Sequence, residues 1–142
     1  MNTSFISFER FSYDSSEWHV QINASNGSFS GVQDFYTYPE DLEALGLGFC
    51  KFPQNIQDEV RFELGNRTGN WAYFILVRAF LYDSVGHAAI EFSISNNAIP
   101  PYLAQTNFFI CTEVASINNL AKKLMEWILF PQNKLLWIPC VS

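Results

Sequence analysis

Few residues of this 142-residue chain could do chemistry: two histidines, three cysteines and fourteen carboxylates. His87 has the richest surroundings, with Asp83 across a turn and Glu91 further along the same strand face. A histidine between two carboxylates could serve as a general base. On a strand, however, Glu91 stands about 13 Å away, at about 3.3 Å per residue, too far for direct pairing. His87 therefore reads as the start of a strand, bonded to a local group. His19 falls on the polar face of another strand and has no ligand at metal spacing. Cys50 and Cys111 stand among Phe49, Phe52, Phe109 and Ile110, where a cysteine behaves as a small hydrophobe. No phosphate-binding glycine loop and no GxSxG elbow occurs. The acidic group Asp34, Glu40, Asp41 and Glu43 lacks the alternating oxygen ligands of a calcium loop. The expectation is a binding protein with no catalytic residue, no cofactor and no metal.

Composition sets the frame for such a protein. Apolar residues make up 49% of the chain, aromatics 17% and charged residues 15%, which favours a packed core over disorder. The length suits one domain spanning 1–142. The longest apolar run, from Trp71 to Tyr82, is broken by Arg78 and falls short of the ~20 residues of a membrane-spanning helix. Without a secretory signal and with an odd number of cysteines, the chain is expected in the cytoplasm. The net charge is −6 and uneven: residues 1–65 hold ten carboxylates against three bases, whereas residues 66–142 hold four against five. An acidic field of this kind excludes nucleic acid and anionic membrane as partners and favours a basic protein.

The elements that must carry these residues follow from periodicity. Residues 4–11 and 18–24 alternate as strands. Asn26-Gly27 is the turn of a hairpin leading into a third strand at 29–37. Pro39-Glu40-Asp41 opens a short helix, which Gly46 and Gly48 end near Leu45 and Pro53 stops. Strands follow at 60–64, at 71–82 with both parities apolar, at 88–95 and at 103–112. Ser116 caps an amphipathic helix carrying Ile117, Leu120, Leu124 and Trp127, and Leu135 to Ile138 return as a last short strand or an apolar tail tucked onto the core. The sum is an α+β fold: a predominantly antiparallel sheet of six or seven strands, a short mid-chain helix, and a C-terminal helix packed on the sheet.

Several stretches between Glu17 and Glu113 resemble the small acidic immunity proteins of bacterial contact-dependent and polymorphic toxin systems. They are Trp18-His19-Val20-Gln21-Ile22, Gly27 to Gly31 with Asp34-Phe35, Pro39-Glu40-Asp41-Leu42, Val60 to Gly65, and Tyr82 to His87 leading into Ala88 to Ile94. The resemblance implies a cytoplasmic inhibitor that binds one cognate toxin domain, a basic nuclease, and blocks its active site or substrate groove. The clustering of charge places that contact on Asp34, Glu40, Asp41, Glu43, Asp58 and Glu59, with Tyr36 or Tyr38 as anchor. The competing expectation is a small-molecule-binding or enzymatic domain with an apolar pocket between sheet and helix.

Overall fold

The computed structural model describes residues 3–11, 16–68 and 70–140. The chain runs β1 (Phe5–Arg10), β2 (Trp18–Ser25), β3 (Ser30–Thr37), α1 (Pro39–Lys51), β4 (Glu59–Gly65), β5 (Phe74–Leu81), β6 (Ala88–Ser95), β7 (Gln105–Thr112), α2 (Val114–Leu129) and β8 (Leu135–Trp137). The α+β class holds, but eight strands form two antiparallel sheets of four, ordered β3-β2-β1-β8 and β4-β5-β6-β7. Alternation explains why each strand exists. It cannot tell one sheet of seven strands from two of four, because either arrangement buries the same face of each strand.

One hydrophobic cluster joins the inner faces of both sheets to the two helices. It includes Phe8, Val20, Ile22 and Phe35 from the first sheet, Val77, Ile90, Phe92 and Ile110 from the second, and Leu42, Phe49, Leu124 and Trp127 from the helices. The first hairpin ties the sheets together at an edge. The Asn26 side-chain oxygen accepts from the amides of Ser28 and Phe29 at 2.9 and 2.8 Å, and Gly27 takes φ 94°. The Asn26 amide group then reaches the carbonyl of Phe109 on β7 at 3.3 Å.

Helix α1 is longer than its glycines suggest. Gly46 and Gly48 sit inside it, where a Cβ would stand 2.6 Å from the Met125 sulfur and 2.8 Å from Val60 Cγ1. They are contact glycines that let α1 approach α2 and β4, and that packing outweighs their poor helix propensity of about 1 kcal/mol each. The helix stops at Lys51, before Pro53. Its last carbonyls are closed from outside: Asn118 on α2 donates its amide to Phe49 O at 2.8 Å and Phe52 O at 2.9 Å. Asn118→Ala strands both acceptors, so it is expected to cost about 1–3 kcal/mol in urea unfolding while the helical circular-dichroism signal survives. A loss under about 0.5 kcal/mol would mean that water replaces the clamp.

Helix α2 starts at Val114, with Glu113 rather than Ser116 as its N-cap. Ser116 lies in the first turn, its hydroxyl accepting from the Cys140 amide at 3.0 Å and its carbonyl accepting from the Trp137 indole at 2.9 Å. These bonds hold β8 against α2 while β8 pairs with β1 through Ile6↔Trp137 and Phe8↔Leu135. Among the described residues, no helix is long and apolar enough to cross a membrane.

Candidate functional site

The acidic residues singled out by sequence do not gather on one surface. Asp34 and Tyr36 share the outer face of β3, where Asp34 accepts from His19 at 3.1 Å and Gln21 at 2.8 Å, and Tyr36 stacks on the His19 ring at 4.9 Å. Tyr38 is the N-cap of α1, and Glu40, Asp41 and Glu43 are exposed along its first turns. Asp58 receives the Gln54 amide at 2.8 Å in the loop that follows. Glu59 lies on the outer face of the other sheet, paired with Arg61 and Arg78 at 3.4 and 3.2 Å. Three of the eight residues are therefore committed to local hydrogen bonds or ion pairs.

The densest constellation is on that outer face of the β4–β7 sheet. Register places Glu59, Phe80, Ala89 and Cys111 in one row, then Arg61, Arg78, Glu91 and Phe109, then Glu63, Leu76, Ser93 and Asn107. The Arg78 guanidinium lies 4.1 Å from the Phe80 ring centroid, and Phe80 meets Phe109 edge-on at 5.9 Å. Arg67, from the loop after β4, covers Phe74 at 4.6 Å and bonds the Ser93 hydroxyl. Arg78 is held in its plane from two sides, by Glu91 at 2.8 Å and Glu59 at 3.2 Å. Phe109 is 45% exposed and Trp71, in the loop beside Arg67, is 58% exposed. Its carbonyl and that of Asn66 are fixed by the Asn97 amide at 3.0 and 2.6 Å.

The electrostatics of this face differ from those of the whole chain. Three of the four arginines, Arg61, Arg67 and Arg78, balance Glu59, Glu63 and Glu91, so the patch is neutral on a chain of net charge −6. Burial pushes the Glu91 carboxyl up, but hydrogen bonds from Asn107 and Arg78 together outweigh it and hold Glu91 below its ordinary value. A carboxyl depressed in the folded state adds stability above its unfolded pKa and loses it as pH falls through the folded one. Unfolding free energies of wild type and Glu91→Gln are therefore expected to differ at neutral pH and to converge in acid, below the usual carboxylate range. A constant difference across that range would remove Glu91 from the clamp.

At the far end of the sheet, Asp83 accepts the His87 and Val85 amides at 3.0 Å each and also binds the His87 ring. The His87 contacts hold the Asp83 carboxyl below its ordinary value. His87 stacks on Tyr82 at 5.9 Å. All three cysteines are exposed, contrary to the apolar settings their neighbours suggest, because Cys50 and Cys111 lie on the outward faces of α1 and β7.

Sequence reasoning missed Arg61, Arg67, Arg78, Phe74, Phe80 and Phe109. Its available signal was β5, apolar on both parities yet interrupted by Arg78. The second apolar face, expected beneath another layer, is instead covered by arginine side chains.

No protein-family model matches the chain and no curated protein matches it by sequence. Solved structures do. WHY1 from Arabidopsis thaliana matches with a TM-score of 0.50 at 10% identity, over 94% of this chain and 87% of its own. WHY3 from Arabidopsis thaliana matches with a TM-score of 0.51 at 9% identity, over 90% and 82%. The plant transcriptional regulator PBF-2 matches with a TM-score of 0.48 at 14% identity, over 92% and 79%. At such identities the likeness to WHY1 and WHY3 is one of fold.

The likeness in fold to WHY1 and WHY3 overturns the resemblance to immunity proteins. The toxin-neutralising function and the basic toxin partner fall with it, as does the exclusion of nucleic acid. The reasons are physical. Each stretch that carried the resemblance spells a strand, a turn or a helix start, which any antiparallel fold requires. Net charge sums over the whole surface, whereas a ligand meets one face.

Proposed function

We propose that this protein binds single-stranded nucleic acid on the outer face of the β4–β7 sheet, stacking bases on Phe80, Phe109 and the Arg78 and Arg67 planes, with no catalytic step of its own. The observation that carries this reading is the Arg78 guanidinium, clamped between Glu59 and Glu91 and held over the Phe80 ring beside the half-exposed Phe109. Aromatic rings and guanidinium planes offer sequence-tolerant stacking to unpaired bases, worth about 1–3 kcal/mol per base. A duplex hides those base faces, so a stacking surface of this kind selects single strands. The shared fold with WHY1 and WHY3 supports the same class of ligand. Exposed thiols fit a reducing compartment, and we place the protein in the cytoplasm.

Because the arginines are few, and Arg61 and Arg78 are ion-paired, stacking outweighs phosphate contacts. Fluorescence anisotropy is expected to show binding to a labelled single strand and much weaker binding to the matching duplex. The slope of log K against log[salt] should be shallow, no steeper than about −2 for three phosphate contacts at about −0.7 each. In a Cys50→Ser, Cys140→Ser background, saturating oligonucleotide should slow alkylation of Cys111, which shares the Phe80 row. Equal affinity for duplex, or a Cys111 rate unchanged by bound strand, would move the site off this face.

A further inference from the structure

A second site lies between other elements. Where α2 turns back into β8, an open pocket of about 280 Å³ is lined by Lys123, Glu126, Trp127, Phe130, Asn133 and Lys134, among others. Its size, near the lower end of ligand pockets at roughly 300 Å³, suits one small molecule rather than a length of polymer. Three features give it a chemistry. First, two of the chain's four lysines converge here, with Glu126 the one carboxylate in the lining. Second, Trp127 is only 4% exposed, yet its indole Nε1 is buried without a hydrogen-bond partner. Buried donors are nearly always satisfied, so this unmet donor, behind the pocket wall, marks a place where the chain supplies no acceptor of its own. Third, Trp127 is fixed by Phe8 and Trp18, each 5.7 Å between ring centroids, so that the wall is rigid before any ligand arrives. Phe130, 55% exposed, adds a free aromatic surface.

Donors outnumber charged acceptors in the lining: two ammonium groups and the Asn133 amide stand against one carboxylate. A doubly charged anion joined to a planar ring matches this set. We propose that the pocket binds a single nucleotide, its phosphate between Lys123 and Lys134 and its base against Phe130 and Trp127. The ligand is either a free nucleoside monophosphate or the 5′-phosphorylated end of a strand, which share that chemistry. The site uses none of the residues of the β4–β7 face and stands or falls separately from the single-strand reading.

The test follows the Trp127 indole cross-peak, assigned with Trp127→Phe, in ¹⁵N-labelled full-length protein. Uridine 5′-monophosphate should shift it saturably at about millimolar concentration or below, whereas uridine and inorganic phosphate should not saturate over that range. Lys123→Gln and Lys134→Gln, both surface changes, should each weaken the nucleotide about tenfold, the effect of one charged hydrogen bond. A further arm compares oligonucleotides with 5′-phosphate and 5′-hydroxyl ends. A shift by the phosphorylated strand alone identifies a strand end as occupant, and a shift by the mononucleotide but neither strand identifies a free nucleotide. Three outcomes would overturn the pocket: no shift from any of these, an equal shift from uridine or phosphate, or lysine variants that bind as wild type does. In each, strand binding that still depends on Phe80 and Phe109 would leave the sheet site standing.

Discussion

Replacing Trp137 by alanine is expected to cost about 4 kcal/mol or more, the largest single loss available in this chain. Trp137 has no exposed surface, pairs with Ile6 across β1, and donates its indole N–H to Ser116 O at 2.9 Å. Truncating a fully buried Trp typically costs about 3–5 kcal/mol through lost transfer energy and the cavity left behind. Losing the indole bond to the Ser116 carbonyl adds to this. For a domain stabilised by about 5–15 kcal/mol, such a loss consumes much of the margin. At about 3 °C per kcal/mol, the thermal midpoint should fall by about 12 °C. Trp137→Phe keeps most of the volume and loses the hydrogen bond, so its cost should be roughly half. Urea titrations followed by circular dichroism measure both. A loss below about 2 kcal/mol for the alanine variant would mean that β8 does not hold α2 to the first sheet in solution.

The second large effect concerns binding. Phe80→Ala together with Phe109→Ala is expected to weaken a single strand by roughly 30-fold or more, since each removed stacking platform is worth about 1–3 kcal/mol. Their folding cost should be small, because both rings lie outside the hydrophobic cluster and Phe109 is half exposed. Arg78→Lys separates stacking from charge. It keeps the cation but loses the plane and the fork that Glu59 and Glu91 grip. If stacking carries the affinity, Arg78→Lys should bind nearly as poorly as Arg78→Ala, and the salt slope should hardly change. If lysine restores binding in full, the arginine acts as a point charge and the sheet is a phosphate contact, not a platform. Anisotropy titrations at two salt concentrations, with unfolding curves to confirm that each variant is folded, decide between these.

How the fold was and was not legible can be traced residue by residue. Alternation marked β2, β4 and β6, since each side chain on a strand meets either the core or the outside. Asn26-Gly27 marked its hairpin because the Asn side chain can bond the backbone locally and glycine accepts positive φ. The spacing of Ile117, Leu120, Leu124 and Trp127 marked α2. Gly46 and Gly48 misled because a glycine that ends a helix and one that admits a neighbour are written alike. Only the presence of Met125 and Val60 tells them apart.

The site was harder to see for the same reason. Acidic residues stood out because they are many and close in sequence, but Asp34 and Glu59 face outward from different sheets, and their partners came from other strands. Arg67 and Arg78 did not read as a site, since the stacking of Arg67 on Phe74 and the clamping of Arg78 by Glu59 and Glu91 exist only once loops and strands are brought together. The sequence by itself determined the α+β class, most strand positions and the amphipathic second helix, because period and turn chemistry are local. Tertiary structure alone decided that the strands split into two sheets, that the two helix glycines are contacts, and that arginines and phenylalanines from three strands share one open face. Those outcomes depend on which strand lies beside which, a relation that local periodicity does not encode.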